Sequence, residues 1–100
     1  KGLEIHVVLL QHRAFPVALG AAAAEGNVLD AKTRELIALA VAVTTRCESC
    51  IGVHADEAVK AGATEEEVAA ALAMSIALNA GAAYTYSLRA LEAYNAQKGE

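Results

Sequence analysis

The chain has 100 residues, of which 56% are hydrophobic and 4% aromatic, and its formal net charge is −4. This length is typical of one domain that buries roughly two thirds of its unfolded surface, so we predict a single domain over residues 1–100. The acidic balance provides no basic stripe, which argues against a nucleic-acid partner. The longest apolar stretch, 68–83, is interrupted by Ser75, Asn79 and Gly81. No run therefore reaches the ~20 residues that span a bilayer, and we expect no membrane partner.

About a quarter of the residues are alanine, which has the highest helix propensity and a minimal side chain. Helices rich in alanine approach one another closely, but each contributes little apolar volume to a core. A small domain that is nevertheless this apolar often completes its core by association. We therefore predict a homo-oligomer, with a compact monomeric bundle as the alternative.

The N-terminal part of the chain gives the weakest helical signal. Apolar residues recur at helical spacing at Leu3, Val7 and Leu10. Pro16 suits the first turn of a helix that runs through Ala24, and Gly26-Asn27 is a turn signal. Two of the three histidines, His6 and His12, fall in this part, and we interpret them as surface or subunit-contact residues.

Asp30 is a good N-cap for the next helix, which we predict to run to about Thr44. Glu35 directly precedes the apolar run 36–43, at a point where the helix dipole favours a carboxylate. The residues predicted to face the core from this helix are Leu36, Leu39, Ala40 and Val43.

The C-terminal half shows two capping-box patterns, Thr45-x-x-Glu48 and Thr64-x-x-Glu67, and each predicts the start of a helix. Gly62 is the natural end of the first. The second is predicted to end near 79–81, with Val68, Leu72 and Ile76 facing inward. A last helix is predicted over 82–96, and its packing face consists of Tyr84, Leu88, Leu91 and Tyr94.

No stretch alternates between apolar and polar residues as a half-buried strand does. We therefore predict an all-α fold.

Both cysteines and one histidine fall within residues 47–54. On a helix, Cys47, Cys50 and His54 occupy positions i, i+3 and i+7, which share one face. A thiol reacts as thiolate, and a helix N-terminus and a nearby histidine both favour that form. Glu35, on the preceding helix, is the best candidate for a carboxylate that orients the histidine. The second thiol of a Cys-x-x-Cys pair can then close a disulfide on the first.

Two other interpretations of these residues remain open. Cys47, Cys50 and His54 could supply three zinc ligands, with Glu35 or a distant histidine as the fourth. Alternatively, the cysteines are buried structural residues and the histidine is a hydrogen-bonded core residue. We favour redox chemistry over both and predict no cofactor.

The N-terminal stretch lacks a secretory pattern, because Glu4, His6 and the polar residues 11–13 interrupt its apolar residues. We therefore expect a cytoplasmic location, where thiols are kept reduced. In that compartment a Cys-x-x-Cys pair is more often catalytic or metal-binding than a structural disulfide.

Glu35, eleven intervening residues and Cys47-x-x-Cys50-x-x-x-His54 resemble the motif of the carboxymuconolactone decarboxylase superfamily, in its alkylhydroperoxidase D-like branch. The flanking segments 29–40 and 58–68 resemble it too, and the likeness covers about residues 28–97. The resemblance implies an all-α alkylhydroperoxidase D-like helical bundle, assembled as trimers or hexamers, that uses no metal or haem.

The resemblance also implies an activity, that of a thiol-dependent peroxidase or disulfide oxidoreductase of antioxidant defence. By the family pattern, Cys50 attacks a hydroperoxide and Cys47 resolves the product, while Glu35 and His54 form the proton relay. An external dithiol or thiol reductase regenerates the pair.

The chain departs from the peroxidase members at Ser49, where they carry a histidine. A serine hydroxyl forms hydrogen bonds but is not a base near neutral pH. Two alternative functions are a non-catalytic redox-sensing module and a carboxymuconolactone-type decarboxylase, although the decarboxylases of the superfamily generally lack the cysteine pair.

Overall fold

A computed structural model describes residues 14–99, which form four α-helices and one short 3₁₀ helix. The helices are α1 (Ala14–Ala24), α2 (Ala31–Thr45), α3 (Glu48–Lys60) and α4 (Glu65–Lys98), and the 3₁₀ helix is Glu25–Asn27. Residues 14–99 contain no strand, and the predicted all-α fold is confirmed. The predicted helical spacing in 3–10 and both His6 and His12 lie outside the described residues.

The first two helices begin and end as predicted. Pro16 lies in the first turn of α1, where its missing N–H is not needed. The chain then turns through Gly26 and Asn27, whose φ angles are 75° and 51°. Asp30 is the N-cap of α2, and its side chain accepts a hydrogen bond of 2.8 Å from the backbone N–H of Thr33.

The junction between α2 and α3 differs from the prediction. Arg46 takes the left-handed conformation, with φ 55°, and its N–H donates to the Val43 carbonyl at 3.3 Å. The predicted N-cap, Thr45, is instead the last residue of α2, and its hydroxyl donates to the Val41 carbonyl at 3.1 Å. The Thr45 capping box is therefore wrong, because that hydroxyl already bonds back to its own helix. The N-cap of α3 is Cys47.

The junction between α3 and α4 follows the prediction. Gly62 has φ 85°, and its N–H donates to the Val59 carbonyl at 3.0 Å. Thr64 and Glu67 form a capping box in which the Thr64 hydroxyl accepts from Glu67 N–H at 3.1 Å. The Glu67 carboxylate in turn accepts from Thr64 N–H at 2.9 Å.

α4 is one continuous helix of 34 residues, so the predicted break near 79–81 is wrong. Gly81 lies between alanines, which are strong helix formers, and a single interior glycine costs only about 1 kcal/mol. Asn79 also lies within the helix, and its side-chain amide donates to the Ser75 carbonyl at 2.7 Å.

The continuity of α4 bears on the expectation that no segment spans a membrane. Among the described helices, α4 is long and apolar enough to cross a bilayer by length and composition alone. Core helices of other proteins meet the same two criteria, so this one helix is weak evidence for a membrane span.

α2 is the central helix and packs against both α3 and α4. Among the described side chains, the buried ones come from these three helices, and they are Leu39, Ala42, Ala58 and Ser75. Ser75 joins two of the helices, since its hydroxyl donates to the Ala40 carbonyl at 2.9 Å. Of the predicted core stripe, Leu39 is buried, and Leu36, Ala40 and Val43 are half-buried.

The C-terminal part of α4 lies outside this core. Ile76, predicted to face inward, is 68% exposed, and Tyr84 of the predicted packing face is 72% exposed. Leu88, Leu91 and Tyr94 are exposed as well. Val68 and Leu72 of the predicted inward face are half-buried. The prediction is wrong for Ile76 and, in a single chain, for the packing face of the last helix, since these residues are exposed. The Cα radius of gyration is 19.0 Å, compared with about 13 Å for a compact domain of this length.

Candidate active site

Cys47 and Cys50 form a disulfide at the start of α3, with their Cα atoms 5.2 Å apart. Cys47 is the extended N-cap residue, with φ −94° and ψ 96°. Its Sγ atom accepts a hydrogen bond of 3.3 Å from the backbone N–H of Cys50. The Cys47 sulfur therefore caps the helix, as a serine or threonine oxygen does at many helix N-termini.

The structure brings Glu35 of α2 to His54 of α3. Glu35 Oε1 and His54 Nδ1 are 2.6 Å apart, and the two side chains are 19% and 35% exposed respectively. In the neutral tautomer with the proton on Nδ1, the imidazole donates to the carboxylate and keeps Nε2 as a proton acceptor. The carboxylate thereby fixes the ring orientation and favours that tautomer.

Cys50 and His54 line the same cleft, which has a volume of about 600 Å³. α1 forms one wall of the cleft, through Pro16, Leu19, Gly20 and Ala23. A neighbouring cleft of about 350 Å³ is lined by Glu35 and His54 together with Arg34. The Arg34 side chain donates to Asn27 Oδ1 at 3.1 Å and also to the Leu29 carbonyl, which ties the turn before α2 to the edge of the site.

Ser49 lies beside the sulfur of Cys47. Its Oγ atom is 3.6 Å from Cys47 Sγ. Because a disulfide sulfur carries no hydrogen, the serine hydroxyl is the donor in this contact.

All four predicted site residues thus lie on α2 or α3 or at the N-cap of α3, and they form two pairs. One is the disulfide, and the other is the hydrogen-bonded carboxylate and imidazole, with Cys50 and His54 facing a common cleft. Within residues 14–99, no group of three or more His, Cys, Asp or Glu side chains has an arrangement that could hold a metal ion.

The contribution of α1 to this site was not predicted from the sequence. Its only signal was that residues 14–24 carry no charged or polar side chain. A helix without a polar face requires apolar surroundings on more than one side.

The profile of the carboxymuconolactone decarboxylase family matches residues 11–93. An uncharacterised protein of Haemophilus influenzae (strain Rd) is 89% identical over 81 residues, which are 81% of this chain and 72% of the relative. A protein of Paracoccus denitrificans described as uncharacterised protein 4 in the cox locus is 42% identical over 65 residues, or 65% of this chain and 59% of that relative. An uncharacterised protein of Cupriavidus necator is 36% identical over 83 residues, or 83% and 73% of the two chains.

Proposed function

The chain belongs to the carboxymuconolactone decarboxylase family, and within it we propose a thiol-dependent peroxidase and disulfide oxidoreductase of the alkylhydroperoxidase D-like branch. The observation that carries the proposal is the 2.6 Å contact between Glu35 and His54. This contact supports a role for His54 as general base, because it leaves Nε2 free as a proton acceptor. The His54 ring also lines the same cleft as Cys50.

In the first half of the cycle, His54 Nε2 accepts the proton of the Cys50 thiol. The Cys50 thiolate attacks the terminal oxygen of a hydroperoxide, the O–O bond breaks, and the alcohol leaves with the proton returned by His54. Cys50 is then a sulfenic acid. Cys47 attacks its sulfur, water leaves, and the disulfide of this structure results.

In the second half, an external dithiol or thiol reductase returns both cysteines to thiols and is itself oxidised to a disulfide. This step requires a compartment in which dithiols are kept reduced, so the proposal includes a cytoplasmic location.

The proposal also includes assembly of identical subunits as trimers or hexamers. The support is the large apolar surface of one chain, which includes Val17, Ile76, Tyr84 and Tyr86, each at least 68% exposed. A second copy of the chain could cover this apolar surface, because it presents the same apolar helices. Light scattering behind a sizing column should give a multiple of the subunit mass. A monomer that instead floats with lipid vesicles would contradict assembly and favour a membrane partner.

Peroxide consumption with a dithiol donor tests the activity. Cys50→Ser should abolish it, and Glu35→Gln or His54→Ala should lower the rate by at least about tenfold, the usual scale for a lost acid–base group. Glu66→Gln, which removes an exposed carboxylate from the first turn of α4, is the matched control and should keep the wild-type rate. Full turnover by the Cys50→Ser variant would exclude the proposed peroxidase.

A redox-sensing module is the second candidate, favoured by the combination of a disulfide at a helix start with large apolar surfaces. In that case the oxidised and reduced forms would differ in assembly, while peroxide loss would be no faster than with free thiols.

The family's name suggests a third activity, decarboxylation of a carboxylated lactone. It would survive replacement of both cysteines by serine, whereas the peroxidase and the sensor would not.

A further inference from the structure

The cleft that Cys50 lines and the cleft that Arg34 lines adjoin each other and form one trough. The two clefts share five lining residues, which are Gly20, Ala23, Ile37, Ala38 and His54. Cys50 lines only the first cleft, and Arg34 lines only the second. Because His54 lines both, it lies between the thiol at one end of the trough and the guanidinium at the other.

The α2 wall gives the length of the trough. Arg34, Ala38, Val41 and Thr45 all line it, and their spacing of four, three and four residues places them on one helix face. At 1.5 Å per residue, the helix rises roughly 16 Å from Arg34 to Thr45. The α1 wall opposite carries no charged or polar side chain. The trough therefore suits an elongated apolar molecule with few polar groups.

Arg34 has hydrogen-bond donors left for a ligand. Its two bonds to the preceding turn, to Asn27 Oδ1 at 3.1 Å and to the Leu29 carbonyl, both come from Nη1. A guanidinium has five N–H groups, so three remain on Nε and Nη2, and none of these bonds to a residue of 14–99. The edge formed by Nε and Nη2 matches the two oxygens of a carboxylate.

The charge of Arg34 is also without an ion-pair partner among residues 14–99. The carboxylate of Glu35 bonds to His54 at 2.6 Å, and that of Asp30 accepts from the Thr33 N–H at 2.8 Å. Of the described residues that line the trough, Arg34 is the one with a permanent positive charge. Since Glu35 repels a second carboxylate beside His54, an anionic ligand is most stable with its charge at the Arg34 end.

We propose that the trough binds an elongated apolar molecule with a terminal carboxylate, which Arg34 holds through its Nε–Nη2 edge while the apolar body lies between α1 and α2. The inference rests on the proposed function for the reacting group. The substrate is then an organic hydroperoxide with a carboxylate at its far end, such as a fatty-acid hydroperoxide, and the alcohol that leaves Cys50 is a hydroxy acid. Arg34 determines specificity and does not touch the reacting atoms.

Calorimetric titration of the wild-type protein with three unreactive probes tests the site. Decanoate should bind at least about tenfold more tightly than 1-decanol, because the alcohol lacks the charge that pairs with the guanidinium. Acetate, which has the charge without the apolar body, should also bind at least about tenfold more weakly than decanoate. Equal affinity for decanoate and either of the other probes would overturn the proposal.

Arg34→Gln should weaken decanoate binding by at least about tenfold and leave 1-decanol binding within about twofold of the wild type. Arg34→Lys keeps the charge without the planar fork and should give an intermediate decanoate affinity. Arg89→Gln, which removes an exposed guanidinium that lies over Tyr86 on α4, is the matched control and should bind decanoate as the wild type does.

The 1-decanol titration separates ligand binding by Arg34 from its role in the turn before α2. A misplaced turn would weaken the binding of both probes, whereas a lost carboxylate contact weakens that of decanoate alone. An equal loss for both probes in Arg34→Gln, or no loss for decanoate, would overturn the assignment.

The α1 wall is tested by filling it. A Cβ atom at Gly20 would meet nothing within 4 Å, so a leucine there has room to extend into the trough. Gly20→Leu should weaken decanoate binding by about fivefold or more, because the added side chain competes for the same space. Gly81→Leu, at a helical glycine of α4 that is equally open, should leave it unchanged. Wild-type affinity in Gly20→Leu would overturn the placement of the ligand against α1.

The titrations use no peroxide, so the two proposals can fail separately. Consumption of tert-butyl hydroperoxide, which has no carboxylate, tests the peroxidase by itself. Decanoate binding at Arg34 without peroxide consumption would exclude the peroxidase and keep the carboxylate site. Peroxide consumption by a protein that does not prefer decanoate to 1-decanol would overturn the carboxylate site and keep the peroxidase.

Discussion

The two junctions on either side of α3 contain the same two kinds of backbone position but different side chains. Each has a left-handed residue shortly after one helix, which is the C-cap of α2 in the first junction and the residue after the right-handed C-cap of α3 in the second, and each has an extended N-cap residue that starts the next helix. Between α3 and α4 these positions hold Gly62 and Thr64, which are residues that both conformations favour. Between α2 and α3 the corresponding positions hold Arg46 and Cys47, which are residues that these conformations do not favour.

The difference indicates where the chain departs from optimal local stability. A residue other than glycine in the left-handed region costs roughly 1–2 kcal/mol, and cysteine is not among the preferred N-cap residues. Such departures concentrate at functional sites. The α3–α4 junction holds residues that its backbone favours, whereas the α2–α3 junction holds a left-handed arginine and places a sulfur at the positive end of a helix.

The largest expected effect comes from making the first junction resemble the second. Cys47→Ser keeps an N-cap side chain that can accept from Cys50 N–H, but it removes the disulfide. Dithiol-dependent turnover should fall by at least about tenfold. The melting temperature should stay equal to that of the reduced wild type or rise slightly. Retained turnover would show that Cys47 is not the resolving thiol, and calorimetry in excess reductant checks the stability.

The opposite change should affect stability and leave the chemistry intact. Thr64→Ala removes the N-cap hydroxyl of α4, which accepts from Glu67 N–H at 3.1 Å, and should cost about 1 kcal/mol. Urea unfolding measures the loss. Dithiol-dependent peroxide consumption should keep the wild-type rate, and a lower rate would mean that the two junctions are coupled.

A smaller pair of effects, of opposite sign, concerns the left-handed residues. Gly62→Ala should destabilise by about 1 kcal/mol, because its φ of 85° disfavours any side chain. Arg46→Gly should stabilise by about 0.5 kcal/mol, the relief of strain less the added freedom of the unfolded chain. The urea midpoints of the two variants should move in opposite directions, and a shift in the same direction would contradict the comparison.

The smallest effect is the pH dependence of the second junction. The Thr64 backbone N–H and the Lys32 ammonium, 2.9 Å away, lower the pKa of the Glu67 carboxyl from its ordinary value of 4.5. The folded chain therefore binds fewer protons there than the unfolded chain. This stabilisation is present above about pH 4.5 and is lost as the pH falls through the folded pKa.

Glu67→Gln keeps a side-chain acceptor for the capping box but loses the charge. Its melting temperature should fall less than that of the wild type between pH 6 and pH 3, whereas Glu66→Gln should follow the wild type. Equal slopes in Glu67→Gln and wild type would exclude this contribution.

The helix boundaries that the sequence predicted correctly depend on contacts between residues close in the chain. Asp30 bonds three residues ahead to Thr33, and Thr64 bonds three residues ahead to Glu67. Thr45 failed because the same hydroxyl has two local options. It can cap the next helix or bond back to the carbonyls of its own, and the sequence pattern is identical for both.

The packing predictions failed for a different reason. Helical spacing identified Tyr84, Leu88, Leu91 and Tyr94 as one face, but spacing does not say what covers a face. Within residues 14–99, no other helix covers this face, and its residues are exposed. The predicted stripe of α2 succeeded at Leu39 because α3 and α4 both pack against that helix.

The sequence by itself determined the all-α class, most of the helix starts and the grouping of Cys47, Cys50 and His54 on one face of a helix. All of these depend on residues within about a helical turn or two of each other. Only the tertiary structure decided that Glu35 reaches His54, that α1 forms a wall of the Cys50 cleft, and that Cys47 rather than Thr45 caps α3. The first two contacts join separate helices, whose relative placement depends on packing across the whole chain. The third depends on which of two equivalent hydrogen bonds the packed α2 allows.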